Sequence, residues 1–586
     1  MIKIKNLSFS YPGTPKPILQ NINLEIEAGD FLAIAGNNGC GKSTLCKTLN
    51  GLIPHFFAGD FTGKVEIGHM DTAKHSVGEL AFQVGYVYQD FENQIVRPTV
   101  LDDASFACLN YAMEDYLEKG RRALFMTGLS NKEKDYVWQL SGGQKHLLAL
   151  AGTAALSPDI LILDEPVAQL DPLHARQIYD VLKDLNETYG KTIIVIEHHT
   201  EFIAEYCRHL VLMKEGKILW KLPAKEGLNR VEELLANNIF PPQITMAARC
   251  LMKRSGKEED TFFPVTLAEG RRYFTGLVYH KMSQEKTKRG KNGSLIRIKN
   301  AGVEYRAVKG SGLKILDNFS LDIRGGEKIA LIGNNGAGKS TVLKLITGLL
   351  KPRQGTVEVG GISTRDILAE DMAHNISLVY QNPEEMFVKD SIRADIEYAM
   401  KARKMENYKE RTDNLLQMFC LEEYAHRDGR LLSGGQMRRA SLAIGIALNP
   451  RILLLDEPTA NLDIATRKEI IRTLDAMKEA VETTVIATHD MQLVSEWADR
   501  IIVLCNGRII ADGSKEEIFG NQHVIRSAGI EPPEIYSMGR ELNQEARCFT
   551  VEEFIASFAS QEDKADRRTG NTCHELNTIP AEGSLA

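Results

Sequence analysis

The chain repeats itself, and that repeat constrains its fold more than any other feature. Two glycine-rich loops, GNNGCGKST at 36–44 and GNNGAGKST at 333–341, place Lys42 and Lys339 297 residues apart. Two LSGGQ pentapeptides place Ser141 and Ser433 292 apart, and two ILxLDEP segments place Glu165 and Glu457 292 apart. The histidines that follow, His198 and His489, differ by 291. One loop can resemble another by chance, but a near-constant offset across successive motifs means that a whole domain is duplicated. The duplication runs on past these motifs, because Pro241-Pro242-Gln243-Ile244 matches Pro532-Pro533-Glu534-Ile535. Each half is therefore a core with its own C-terminal extension. The reading predicts a first core over 1–222 with its extension over 223–282, and a second core over 295–520 with its extension over 521–560. The charged, polar stretch SQEKTKRGKNGS (283–294) reads as a linker. The last residues, 561–586, lack periodicity and read as disordered.

Composition narrows the class. The chain of 586 residues is too long for one core, and with 43% hydrophobic and 25% charged residues it has globular composition. A formal net charge of -7 gives no support to a nucleic-acid partner, which normally demands a basic surface. None of the nine cysteines forms a Cys-x-x-Cys pair, so zinc-ribbon and iron–sulfur readings lack their ligand spacing. Reduced thiols in the cytosol are expected. The start, MIKIKNLSFSYPG, lacks the apolar core of a signal peptide, and no apolar run is long enough to span a bilayer.

The pattern G-x-x-x-x-G-K-[ST] is a phosphate-binding loop, twice over. Its glycines let backbone N–H groups converge on phosphate oxygens, while the lysine reaches the outer phosphates and the first hydroxyl ligates magnesium. The apolar segments 31–35 and 328–332 read as buried strands before the loops, and LCKTLNGLI and VLKLITGLL read as helices after them. Phosphate would sit at a helix N-terminus, where the dipole favours negative charge. The runs 160–163 and 452–455 read as strands buried on both faces. Each ends in an acidic pair, Asp164-Glu165 and Asp456-Glu457. In such a pair the aspartate can hold the magnesium shell, and the glutamate can polarise a water for attack on the γ-phosphate.

A phosphate loop, LSGGQ, Asp-Glu-Pro, a Leu-Asp element and a histidine, in that order, resemble the ABC ATPases over nearly the whole chain. The resemblance implies an α/β fold: two tandem ABC-type P-loop NTPase domains, each a RecA-like core with a helical signature subdomain and an antiparallel β-subdomain. It implies ATP and Mg2+ as ligands and ATP hydrolysis as the activity. The nucleotide set is then Gly36, Asn37, Asn38, Gly39, Cys40, Gly41, Lys42, Ser43 and Thr44, with Gly333, Asn334, Asn335, Gly336, Ala337, Gly338, Lys339, Ser340 and Thr341. To these the resemblance adds the signatures Ser141, Gly142, Gly143, Gln144 and Ser433, Gly434, Gly435, Gln436, and the D-loop residues Asp171 and Asp463. It assigns Tyr11 and Tyr305 to adenine stacking. Magnesium falls to Ser43, Gln89 and Asp164 in one half and to Ser340, Gln381 and Asp456 in the other. Glu165, Glu457, His198 and His489 carry catalysis, the histidines as switch residues. In the family each signature caps the ATP held by the other half, which implies an intramolecular head-to-tail dimer with two composite sites. One departure stands out: family signatures commonly run LSGGQxxR, which the second half keeps with Arg439 and the first replaces with Leu147. That arginine is expected to support the signature loop, which puts equal rates at the two sites in doubt.

The segment GYVYQDFENQIV (85–96) resembles the Q-loop of energy-coupling-factor ATPases, and LVYQNPEEMF (378–387) is a looser match. That resemblance implies the motor of an importer, peripheral on the cytoplasmic face of a bacterial or archaeal cell membrane. Its partners would be a transmembrane coupling subunit and a substrate-capturing membrane protein. The cargo class would be a vitamin, its precursor or a transition-metal ion. Two rivals remain: a soluble tandem ABC protein acting on the ribosome, and an exporter motor. The ribosomal class carries a long helical linker, whereas here the stretch between the cores contains Pro223, Pro241, Pro242 and Pro264 and recurs after the second half.

Overall fold

The computed structural model describes residues 2–14, 16–168, 170–254, 262–281, 293–305, 313–460, 462, 464–477 and 481–559. Most of the expected linker and all of the expected disordered tail lie outside these residues.

Each half is built on a six-stranded sheet and a four-stranded sheet, in the same order twice. In the first half the six strands run Lys217–Pro223, His209–Lys214, Phe31–Gly36, Thr192–Ile196, Ile160–Asp164 and Val84–Val87. All pair in parallel except the edge strand Lys217–Pro223. The second half repeats this with Arg508–Gly513, Arg500–Cys505, Lys328–Ile332, Thr483–Ala487, Ile452–Asp456 and Ile376–Val379. The central strands are buried along their whole length, as continuous apolar runs such as FLAIAG and TIIVI require. The antiparallel four-stranded sheets are built around Ile2–Ser10 and Ser294–Tyr305. A helical layer holds Val100–Asn110, Tyr116–Met126 and Gly142–Ala154 in one half, and Ile392–Ala402, Tyr408–Met418 and Gly434–Ile446 in the other. The result is the two-domain α/β fold expected from the motifs.

The extensions behave differently from the cores. Residues just after 223 pack back onto the first core, where Leu228, Leu234 and Ile239 join its apolar cluster. From Gln243 onward, however, most of the buried apolar residues of the two extensions share one core, though Val265 still joins the first cassette and Tyr536 and Phe549 the second. Ile244, Ala247, Phe263 and Phe274 from the first half are buried against Ile535, Met538, Phe554 and Phe558 from the second. The rings of Phe274 and Phe554 lie 5.2 Å apart. Strand Val278–Tyr279 pairs antiparallel with Phe558–Ala559. Neither extension offers enough apolar surface to close a core by itself, so each completes the other.

The join is reciprocal at its centre. Helix Gln243–Arg254 starts with the Ile244 N–H donating to Glu534 Oε2 at 3.2 Å. Helix Glu534–Leu542 starts with the Ile535 N–H donating to Gln243 Oε1 at 3.0 Å. Gln243 and Glu534 occupy matching positions of the repeat, so each half caps the other's helix and an approximate two-fold axis passes between them. Beside this join Arg176 of the first half donates to Glu531 of the second at 2.6 Å and to Glu205 at 2.8 Å.

Burial, and then the nearby Glu201 charge, push the Glu534 carboxyl up to about 8. A carboxyl raised on folding holds an extra proton in the folded state, so its contribution to stability falls as pH rises from the ordinary carboxylate range toward 8. E534Q keeps an acceptor for the Ile244 N–H and removes the charge. Its stability gain over the parent chain should therefore grow by up to about 1.4 kcal/mol per pH unit across this window. Thermal unfolding of both proteins at pH 6 and pH 8 checks this. An equal difference at both pH values would contradict it.

Candidate functional site

The two glycine loops sit between a strand end and a helix start, as their sequence requires. Gly41 and Gly338 precede the helices Lys42–Leu49 and Lys339–Ile346 with φ of 103° and 102°, a left-handed backbone that glycine enters without strain. Lys42 Nζ donates to Gly36 O at 2.7 Å and to Asn37 O at 3.1 Å, and Lys339 Nζ donates to Gly333 O at 2.6 Å. Both ammonium groups are thus held within their own loops. Cys40 and Ala337, at the variable position, are buried. Tyr11 packs edge-on to Phe9, and its hydroxyl lies 3.5 Å from Thr44 Oγ1, beside the first loop. The Tyr305 side chain and Asp463 lie outside the described residues.

Each acidic pair splits between two tasks. Asp164 stays in line with its strand and accepts from Ser43 Oγ at 3.2 Å. Asp456 likewise takes a hydrogen bond from Ser340. Burial holds both aspartates above the usual carboxylate range, in spite of these donors. The hydroxyl and carboxylate in contact here, with the oxygen of the Gln89 or Gln381 amide if brought beside them, would make an oxygen-rich donor set of the kind magnesium takes. The next residue turns away. Glu165 and Glu457 adopt left-handed backbone, φ 51° and 46°, and point their carboxylates at the histidines. Glu165 Oε1 lies 3.2 Å from His198 Nε2, and Glu457 Oε1 lies 2.9 Å from His489 Nδ1. Gln89 Nε2 donates to Glu165 Oε2 at 2.7 Å, and Thr488 Oγ1 donates to Glu457 Oε2 at 3.0 Å. Burial alone would raise these glutamates, but the histidine and loop lysine beside each more than offset it, so both lie below the ordinary value. His489 is raised: burial opposes its charge, and Glu457 outweighs burial. Each half thus presents an ionised carboxylate beside a phosphate-binding loop, able to orient a water and polarise its O–H.

The signatures open helices. Ser141 and Ser433 each cap their helix with the side chain accepting from the N–H of Gln144 or Gln436, whose own amide oxygens accept in return. The paired glycines have separate reasons. A Cβ on Gly142 or Gly434 would meet nothing, so that face is open, whereas one on Gly143 would strike His174 at 2.5 Å and one on Gly435 would strike Thr466 at 2.8 Å. A cavity of about 760 Å³ has Lys339, Ser340, Gln381 and Glu457 of the second half on one side. Gly142 and Leu170 of the first half face them. Asp171 accepts from the ring and backbone of His174 and from the backbone N–H of Asn335 in the second loop.

Some residues were missed from sequence. Asp103 and Asp395 accept from the N–H groups of Val96 and Arg97, and of Val388 and Lys389, fixing the chain just after each Q-loop. Their matching offset was the available signal. Tyr86 OH donates to Asp164 Oδ2 at 2.9 Å, and Leu378 in the second half cannot do this. The role expected of Arg439 is corrected: it donates to Phe419 O, at a neighbouring helix end, rather than to the signature loop. Its neighbour Arg438 is the arginine that reaches toward the site. Helix geometry explains the error, since adjacent residues point about 100° apart and only one can face the Q-loop.

A family model for ABC transporters matches residues 19–168 and 316–460. A putative ABC transporter ATP-binding protein of Methanosarcina acetivorans is 31% identical, over 97% of this chain and 92% of that protein. A similarly described protein of Caldanaerobacter subterraneus is 32% identical, over 95% and 98%. The chain belongs to the ABC transporter ATP-binding family. It is a tandem ABC ATPase, with both matched segments falling on the two loop-bearing halves. A solved dimeric ABC cassette in a post-hydrolysis state with ADP and Pi is 29% identical, covers 37% of this chain and 98% of its own, and has a TM-score of 0.35.

If the two glutamates orient the attacking water, changing both to glutamine keeps size and hydrogen bonding but removes the charge. ATP turnover of the E165Q/E457Q protein should drop by about 100-fold or more, with ATP affinity within about threefold of the parent. Turnover and equilibrium nucleotide binding on the purified chain check this, and undiminished turnover would sink the assignment.

Proposed function

We propose that this tandem ATPase drives a membrane importer of the energy-coupling-factor type, carrying a vitamin, a vitamin precursor or a transition-metal ion. It would work through a transmembrane coupling subunit and a substrate-capturing membrane protein. The observation that carries this reading is a cavity of about 280 Å³ beside the first Q-loop, lined by Tyr88, Gln94, Val96, Phe106 and Ala107. Val96 is 57% exposed there. An apolar groove adjoining the glutamine that touches Glu165 suits a short helix from a membrane partner. Among the described residues no helix is long and apolar enough to cross a membrane, so membrane attachment would come through such a partner. The extensions support the importer over the ribosomal reading. They are spent on a shared apolar core rather than on an extended helical arm.

In the proposed cycle each ATP lies between one glycine loop and the other half's signature. Lys42 and Lys339 bind the outer phosphates. Ser141 and Ser433, at helix starts, offer hydroxyls and N–H groups to the γ-phosphate. Ser43, Asp164 and Gln89, or Ser340, Asp456 and Gln381, would hold magnesium, which would supply positive charge to the phosphates. Glu165 and Glu457 orient the attacking water, and His198 and His489 hold these carboxylates in place. Binding adds charge-assisted contacts from both halves and draws them together, and loss of phosphate removes those contacts. The Q-loop, between glutamate and groove, passes this motion to the partner.

The tagged chain, purified from detergent-solubilised membranes, should bring down a multi-span protein. V96D should release it by placing a charge in the groove, while ATP turnover of the isolated chain stays within about twofold, as for surface changes generally. Recovery of ribosomal proteins, with turnover stimulated by ribosomes, would overturn the importer reading.

A further inference from the structure

The two signature helices are tied to their own Q-loops in different ways. Arg438, on helix Gly434–Ile446, is buried, and its guanidinium donates to Tyr380 O at 2.8 Å and Gln381 O at 2.6 Å. Those carbonyls belong to the second Q-loop itself. The matching residue in the first half is His146. It too is buried, but neither ring nitrogen has a hydrogen-bond partner among the described residues, and the ring stacks on Phe91 at 4.3 Å. Phe91 matches Pro383, so a histidine at 438 would have no matching ring to stack on. The first half's other link at this level, Lys145 to Glu92 at 2.7 Å, is a surface pair with Glu92 well exposed, and such pairs are weak. Two charge-assisted hydrogen bonds from a planar, buried fork fix distance and angle together, whereas a stacked ring can slide.

The link matters because of where its ends lie. On the reading that each signature caps the other half's nucleotide, helix Gly434–Ile446 begins at the ATP held by the Lys42 loop. The carbonyls that Arg438 grips belong to the loop of Gln381, which lines the cavity around Lys339. Arg438 therefore spans from one ATP site to the other within a single rigid helix. We propose that Arg438 is a positioning residue through which occupancy of the Lys42 site sets the Q-loop of the Lys339 site, and that the reverse route, through His146 and Phe91, is much weaker. Arg438 also places its charge near the second half's acidic pair: burial lowers its pKa while Glu457 and Asp456 act to raise it. His146, which burial pushes down to about 4, is neutral and supplies no charge to the first pair.

The proposal predicts one-way communication, readable in the purified full chain by steady-state ATP turnover. Turnover at the Lys339 site is compared between a chain whose Lys42 site binds but does not hydrolyse (E165Q) and one whose Lys42 site does not bind (K42A). The same ratio for the Lys42 site comes from E457Q and K339A. The first ratio should be about tenfold or more, within the usual range of coupling between sites, and the second below about threefold; turnover, unlike binding affinity, need not be coupled equally in both directions. R438M should bring the first ratio down to the second. R438H, which installs the first half's residue, should do the same, and stands in if R438M does not fold. R438K, which keeps the cation but loses the two-point fork, should leave a first ratio between that of the parent and that of R438M. Two equal ratios well above one in the parent background, or a first ratio untouched by both R438M and R438H, would overturn the proposal. If instead both ratios are near one with Arg438 intact, the shared-site reading itself fails.

Discussion

Gln243 and Glu534 each satisfy the opening N–H of the other half's helix, and the rest of the assembly depends on that exchange. A helix start buried without acceptors would cost roughly 1–3 kcal/mol per unmet group, so the two extensions are most stable when facing each other. Because the caps lie at matching positions of a repeat, the contact sits on the pseudo-two-fold axis, and every other pair of matched elements must be arranged about it. Asp171 can then meet Asn335, and Gly142 can face the Lys339 loop. In the proposed cycle this turns association of two cassettes into rotation about a join that stays closed. The entropy of bringing the halves together is met by the covalent chain and the shared core, which leaves nucleotide contacts to move them.

The scaffold is duplicated more faithfully than its chemistry. Both halves must bury an acidic pair, and a buried carboxylate needs donors, but the donors differ. Asp164 has a tyrosine hydroxyl that Asp456 lacks. Around the glutamates the difference is sharper. The first half places Glu197 where the second has Thr488. Glu197 accepts from Tyr179 OH at 2.5 Å and from the N–H groups of His198 and His199, anchoring the histidine through its backbone. Thr488 instead donates straight to Glu457. Each solution is self-consistent, and together they make the two sites electrostatically distinct while the sheet order and register remain the same.

Much of this was legible in the sequence, for identifiable reasons. Phosphate loops, buried strands and helix caps are set by residues within a few positions of each other, so GNNGCGKST, the run ILILD and the Ser141–Gln144 box announce their own local structure. The constant offset then made the domain count legible without any structural information. What could not be read depends on partners brought together by folding. The Pro-Pro-x-Ile repeat was visible, but nothing in it shows that Gln243 meets residue 535 rather than some residue of its own half. Arg439 drew attention because it fits a common spelling, yet only the facing of a helix decides that Arg438 enters the core and Arg439 turns toward Phe419. His146 was unremarkable as a letter. Its meaning comes from its match to Arg438 and from Phe91 lying against it.

The paired carboxylates show most clearly how a local cost serves the site. Left-handed backbone at a non-glycine residue costs about 1–2 kcal/mol, and glycine would remove that cost. Both halves nevertheless hold a glutamate there, at φ 51° and 46°. The conformation is held by the neighbouring strand: Glu165 N–H donates to Ile196 O at 3.1 Å and Glu457 N–H to Ala487 O at 2.8 Å. Without the turn, consecutive side chains on a strand would point to opposite faces of the sheet, and the glutamate would be carried away from the loop. With it, Asp164 stays against Ser43 while Glu165 swings over the strand end toward His198. Two adjacent acids are thereby divided between two places, one at the loop hydroxyl and one at the histidine, where the proposed cycle puts an attacking water. That division, kept in both copies while so many of the surrounding donors diverged, is the strongest physical argument for the proposal that both halves hydrolyse ATP.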